Sequence, residues 1–127
     1  MIPDNFTVRP TVPQLQVLEQ ADVFITHAGI NSVHEGLYFG VPLILIPQQA
    51  EQLINAVVVE KQGAGIVLRQ RMAERGVTAA DLQTALQTIR AQSSYREAAA
   101  RIQKSLRATG GYTYAADEVQ AFVAKAR

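Results

Sequence analysis

The chain has 127 residues, 48% of them hydrophobic, with 12 lysines and arginines against 11 aspartates and glutamates and a formal net charge of +1. That length suits one compact domain with a packed core, and a hydrophobic fraction this high sets the chain apart from disordered sequences. The balanced charge lacks the basic excess that phosphate-backbone binding needs, so no nucleic-acid partner is expected, and the absence of cysteine removes disulfides, thiolate chemistry and cysteine-ligated zinc.

Residues 2–5, Ile2-Pro3-Asp4-Asn5, read as a turn that leads straight into a β-strand at Phe6-Thr7-Val8-Arg9. A helix is predicted over residues 14–20, a strand over 22–26, a helix over 31–39, a strand over 42–46, a helix over 52–62 and a strand over 65–68. Such alternation predicts βαβ units and hence an α/β fold, a Rossmann-like parallel sheet flanked by helices. Val23-Phe24-Ile25 and Val41-Pro42-Leu43-Ile44-Leu45-Ile46 are apolar at consecutive positions instead of alternate ones. Strands covered on both faces read this way, which places both runs at the sheet centre.

Beyond Thr78 the strand signals stop and a helical C-terminal segment follows. Thr78 with Asp81 three residues later predicts a capping-box start, after which Leu82, Leu86 and Ile89 share one face. Ser94 with Glu97 repeats that signal, Ile102 and Leu106 keep the helical spacing, and Gly110-Gly111 predicts a stop near Thr109. A last helix from about Thr113 carries Val119, Phe122, Val123 and Ala126 as an apolar stripe that needs a cover. The expected organisation is a single domain, with a βαβ part at residues 1–77 and a helical part at 78–127. No apolar stretch approaches the roughly 20 residues that span a bilayer, and no basic-then-apolar leader opens the chain, so no membrane span and a cytoplasmic location are expected.

The chemistry concentrates in Thr26-His27-Ala28-Gly29-Ile30-Asn31-Ser32-Val33-His34-Glu35-Gly36, with Pro13-Gln14 before it and Pro47-Gln48-Gln49-Ala50-Glu51-Gln52 after it. A buried strand ends at Thr26, a small Ala28-Gly29 turn follows, and a helix opens near Asn31. A helix N-terminus at the carboxyl edge of a parallel sheet offers unpaired N–H groups and a positive dipole end, which suit an anion such as a diphosphate. His27 at the strand tip, with Asn31 and Ser32, adds side-chain donors. Glu35 lies one helical turn deeper on the Asn31 face, where a carboxylate can accept both hydroxyls of a ribose. The corner at residues 49–52 reaches the same edge and can meet sugar hydroxyls.

Taken together, these residues resemble the donor-binding signature of family-1 glycosyltransferases of the GT-B type, in particular the bacterial macrolide and small-molecule enzymes. The likeness runs from about Ile2 to Leu68 and continues more weakly through the helices. It implies that residues 1–127 are the donor-binding part of a GT-B C-terminal lobe, which takes a UDP-sugar, UDP-glucose being the expected one, for inverting transfer to an acceptor hydroxyl. By the same resemblance Gln14 lies near the uracil, His27, Asn31 and Ser32 contact the diphosphate beside Ala28 and Gly29, Glu35 holds the ribose, and Glu51 and Gln52 bind the transferred sugar. Two positions depart from family patterns: Thr11 stands where plant members carry a base-stacking tryptophan, and Glu51 where aspartate is commoner.

The resemblance also implies that no metal or other cofactor takes part. The catalytic histidine base and its orienting aspartate belong to an N-terminal acceptor lobe, so no catalytic residue is expected in this chain and no turnover from it alone. The opening strand and helix of the donor lobe are likewise expected outside it, leaving an apolar edge for a homodimer partner or an acceptor-lobe chain to cover. A donor subunit of a two-chain glycosyltransferase and a non-catalytic nucleotide-sugar-binding module are the alternative readings.

Plainer explanations compete residue by residue. Ser32 and Glu35 have the spacing of an ordinary capping box, and Glu51-Gln52 that of polar first-turn residues. His34 reads as solvated surface, and the seven-residue separation of His27 and His34 is not a zinc spacing. Gly63-Ala64-Gly65 follows a helix and reads as a turn instead of a dinucleotide fingerprint. Neither a Gly-x-Ser-x-Gly elbow nor a Gly-Lys-Ser/Thr phosphate loop occurs, which argues against a serine hydrolase and a P-loop NTPase.

Overall fold

A computed structural model describes residues 1–69 and 76–127. In chain order the elements are α1 (Gln14–Leu18), β1 (Phe24–Thr26), α2 (Ile30–Tyr38), β2 (Leu43–Leu45), α3 (Ala50–Lys61), β3 (Gly65–Val67), α4 (Ala79–Ala91), α5 (Ser93–Arg107) and α6 (Gly111–Lys125). The three strands form one parallel sheet in the order β1-β2-β3, with Thr26 beside Leu45 and Leu45 beside Val67. All three carboxyl ends therefore lie on one edge, and the turns into α2 and α3 share it.

Alternation along β2 explains why its run is continuously apolar. Leu43 and Leu45 face a core built with Val33 and Leu37 of α2, Ala56 and Val59 of α3, and Ala98 and Ala99 of α5. Ile44 points the other way, to Ala85 and Ile89 of α4, with Val23, Ile66 and Leu82 packed around them. Gly36 permits the close approach of α2, because a Cβ there would stand 2.8 Å from Leu43 Cδ2 and 3.0 Å from Phe24 Cδ1.

The helix ends are chemically distinct. At the start of α4, Thr78 Oγ1 accepts from the Asp81 N–H while Asp81 accepts from the Thr78 N–H, the capping box that the spacing predicts. The chain leaves α3 through Gly63 at φ +77, with the Gly63 N–H donating to Glu60 O and the Ala64 N–H to Val59 O. The exit from α2 repeats this through Gly40, whose N–H donates to Leu37 O while that of Val41 donates to Gly36 O. Gly63-Ala64-Gly65 is thus the left-handed helix stop that feeds β3, in keeping with its reading as a turn.

Several expectations need correction. Residues 6–9 form no strand; Phe6 and Val8 are exposed, and no neighbour among the described residues offers a ladder partner. β1 is an edge strand of this sheet, and Ile25 is 42% exposed, so only the second of the two apolar runs is central. The Ser94–Glu97 cap does not form. Gln92 ends α4 and starts α5 in one extended residue, which places Ser94 inside the first turn, and Ser93 Oγ donates to Glu97 Oε1 instead. α6 begins at Gly111, ahead of Thr113, and none of its residues is buried, so Val119, Phe122 and Val123 stand exposed as the stripe implied. Among the described residues no helix is long and apolar enough to cross a membrane.

Candidate functional site

The turn from β1 into α2 is the most constrained backbone at the carboxyl edge. Ala28 is fully buried and has φ +71, a left-handed conformation that the adjacent glycine does not adopt. For a residue with a Cβ this costs about 1–2 kcal/mol, so the surroundings must hold it. Two side chains do so: Thr26 Oγ1 accepts from the Ala28 N–H at 3.3 Å, and Asn55 Nδ2, from α3, donates to Ala28 O at 3.1 Å.

Gly29 is the N-cap of α2, with φ −60 and ψ 141, and it offers no side-chain acceptor. The first helical bond runs from the Val33 N–H to Gly29 O at 3.0 Å. The N–H groups of Ile30, Asn31 and Ser32 consequently meet no acceptor among the described residues, and no acidic side chain lies in this turn. Among the described helices only α4 has a side-chain cap, from Thr78 and Asp81; α3, the other helix that starts at this edge, is also uncapped but carries Glu51 in its first turn, as α2 does not. Open donors and roughly half a positive charge at the helix start make this turn receptive to an anion.

His27 is exposed at the end of β1, and its imidazole lies over the turn: a Cβ on Gly29 would stand 2.7 Å from its Nε2. Asn31 is exposed and Ser32 half-buried in the first turn. Ser32 is the third helical residue and not the N-cap, which rules out the ordinary capping-box explanation of Ser32 and Glu35. Glu35 instead accepts at Oε2 from Gln14 Nε2, at 2.5 Å, across 21 residues. The predicted uracil and ribose residues are thereby brought together, with the Gln14 amide orienting the Glu35 carboxylate. His34 is exposed, as its reading as surface required. A groove of about 630 Å³ adjoins Glu35, between α2 and the junction of α5 with α6, lined by Leu15, Tyr38, Arg107 and Tyr112 among others.

The second half of the site is looser. Glu51 is exposed in the first turn of α3. Gln52 is buried, and its Oε1 accepts from the Gln48 N–H at 2.8 Å, so its carbonyl closes its own turn. No hydrogen bond among the described residues joins either side chain to the β1–α2 turn. Asn55 makes that connection, and sequence reasoning missed it; its place four residues after Glu51, on the same helical face, was the available signal. No group of three or more His, Cys, Asp or Glu side chains able to hold a metal ion occurs among the described residues. A further cleft of about 670 Å³, lined by Glu60, Ile66, Thr88 and Tyr95, contains none of the predicted site residues. The open donors of the β1–α2 turn carry more weight than cleft size, because an anion needs partners before it needs enclosure.

The chain as a whole is similar to known proteins. The sequence profile of the family described as UDP-glucoronosyl and UDP-glucosyl transferase matches residues 1–107. The chain is 44% identical over 118 residues to the uncharacterized UDP-glucosyltransferase YojK of Bacillus subtilis, covering 93% of this chain and 28% of that protein. It is 42% identical over 124 residues to the NDP-glycosyltransferase YjiC of the same species, covering 98% of this chain and 31% of YjiC. The crystal structure of CalG4, the calicheamicin glycosyltransferase, superimposes with a TM-score of 0.85 at 33% identity, over 98% of this chain and 30% of CalG4. The chain thus spans about 30% of the length of these proteins, all of them named as glycosyltransferases. With a sequence profile matched over most of its length and a helix-flanked parallel sheet shared with GT-B enzymes, the chain belongs to the UDP-glucoronosyl and UDP-glucosyl transferase family.

Proposed function

We propose that this chain binds the UDP-sugar donor of a glycosyltransferase, with the diphosphate at the β1–α2 turn. The observation that carries the reading is the uncapped start of α2: in a chain of this family, the N–H groups of Ile30, Asn31 and Ser32 face the carboxyl edge without partners. His27, Asn31 and Ser32 supply further donors to the phosphates, and Glu35, oriented by Gln14, accepts from the ribose hydroxyls. Glu51 and the amide of Gln52 meet the transferred sugar, for which UDP-glucose is the proposed source.

As the bond from sugar to phosphate breaks, negative charge grows on the departing UDP. Donors fixed before the reaction stabilise that charge without reorganising, and they stabilise the transition state more than the intact donor. Neutralisation by helix and side chains needs no metal ion in this proposal. None of the residues named activates an acceptor hydroxyl; that base, and the acceptor site, belong in the proposal to a part of the enzyme outside these 127 residues.

Titration of the folded chain with UDP-glucose, UDP and free glucose tests the reading. UDP-glucose and UDP should both bind, glucose should not, and addition of a hydroxylated acceptor should yield no product from the chain alone. Failure of UDP to bind, or glucose binding as tightly as UDP-glucose, contradicts the donor-site reading; product formation contradicts the placement of the base elsewhere.

A further inference from the structure

We infer that Asn55 is a positioning residue for the diphosphate: it holds the peptide between Ala28 and Gly29 so that a donor, and not an acceptor, is turned away from α3. The inference rests on the reading that a nucleoside diphosphate docks at the β1–α2 turn. A trans peptide carries its C=O and N–H on opposite sides. Because Asn55 Nδ2 donates to Ala28 O at 3.1 Å, that carbonyl points to α3 and the Gly29 N–H points the opposite way. A carbonyl oxygen only accepts, so the amide nitrogen of Asn55 must be the atom that faces it.

The preceding peptide is held independently, by the bond from the Ala28 N–H to Thr26 Oγ1 at 3.3 Å. Side chains from β1 and α3 together keep Ala28 at φ +71, a conformation that a residue with a Cβ abandons when released. Turning the 28–29 peptide over would put a carbonyl oxygen where the Gly29 N–H now stands, at the mouth of the uncapped helix. An arriving anion would then meet a partial negative charge in place of a row of donors. Asn55 acts through this turn and touches no part of the nucleotide.

Asn55→Leu removes the donor at similar volume, and Asn55→Asp sets a carboxylate against the Ala28 carbonyl. Each is titrated with UDP and with uridine beside the unaltered chain, at a temperature where its NMR spectrum is that of a folded protein. Both variants should bind UDP about tenfold more weakly while uridine affinity changes by less than about twofold, since only the diphosphate meets the turn. Should both Asn55 variants fail to fold, Thr26→Val, which frees the peptide on the other side of Ala28, is expected to show the same selective loss. Unchanged UDP affinity in a folded variant, or an equal loss for uridine, overturns the inference and leaves donor binding standing. An unaltered chain that binds no UDP overturns the docking reading itself.

Discussion

Leu43→Ala is expected to lower the stability of the chain by roughly 3–5 kcal/mol, the upper part of the range for truncating a buried leucine. Leu43 is fully buried in the central strand, paired with Phe24 on one side and Gly65 on the other. Its Cδ2 fills the space that Gly36 leaves open between α2 and the sheet, and a glycine has no side chain that could swing in to close the cavity. A domain of this size has only about 5–15 kcal/mol in total, so the variant should show a strongly lowered urea midpoint or fail to accumulate in folded form. By contrast Arg96→Ala should change stability by less than about 1 kcal/mol, because its ion pair with Asp22 is held by side chains 57% and 90% exposed. A Leu43→Ala midpoint close to that of Arg96→Ala would contradict the placement of β2 at the core.

Gly29→Ala should do the reverse, sparing the fold and impairing the site. The backbone angles of Gly29 suit any residue, so the expected stability loss is only about 1 kcal/mol, from a poorer N-cap. The new Cβ, however, would stand 2.7 Å from His27 Nε2 and would push the imidazole off the turn. UDP affinity is expected to fall by roughly tenfold to a hundredfold, the loss of one or two charge-assisted hydrogen bonds. Calorimetric titration of the folded variant checks this, and UDP binding equal to that of the unaltered chain would remove His27 from the site.

The parts of the fold that could be read from the residues are those fixed by local chemistry. The continuous apolar run of β2, the Thr78–Asp81 cap and the glycine stop at Gly63 each follow from neighbours within a few positions. The same holds for the strand end at Thr26 and the helix start after it, which is why the backbone at the centre of the candidate site was legible. Pairing was not: Phe6-Thr7-Val8-Arg9 has strand-forming residues, but a strand exists only with a partner, and partners are set at long range. Nor was the turn's inner conformation. The glycine beside it invites the assignment of positive φ to Gly29, yet Ala28 takes it, because Thr26 and Asn55 hold both flanking peptides. The bonds from Asn55 to Ala28 and from Gln14 to Glu35 cross 27 and 21 residues, and no spacing rule reaches that far.

A nucleoside diphosphate is expected to meet this surface at the β1–α2 turn, and backbone amide NMR during a UDP titration measures where it docks. The amides of residues 27–32 should shift together and saturably, with Glu35 following as the ribose docks, while the amides of α4 stay in place. A folded chain whose amides at 27–32 do not respond to roughly millimolar UDP, or whose responses centre instead on the cleft beside Glu60, Ile66 and Tyr95, would contradict that placement.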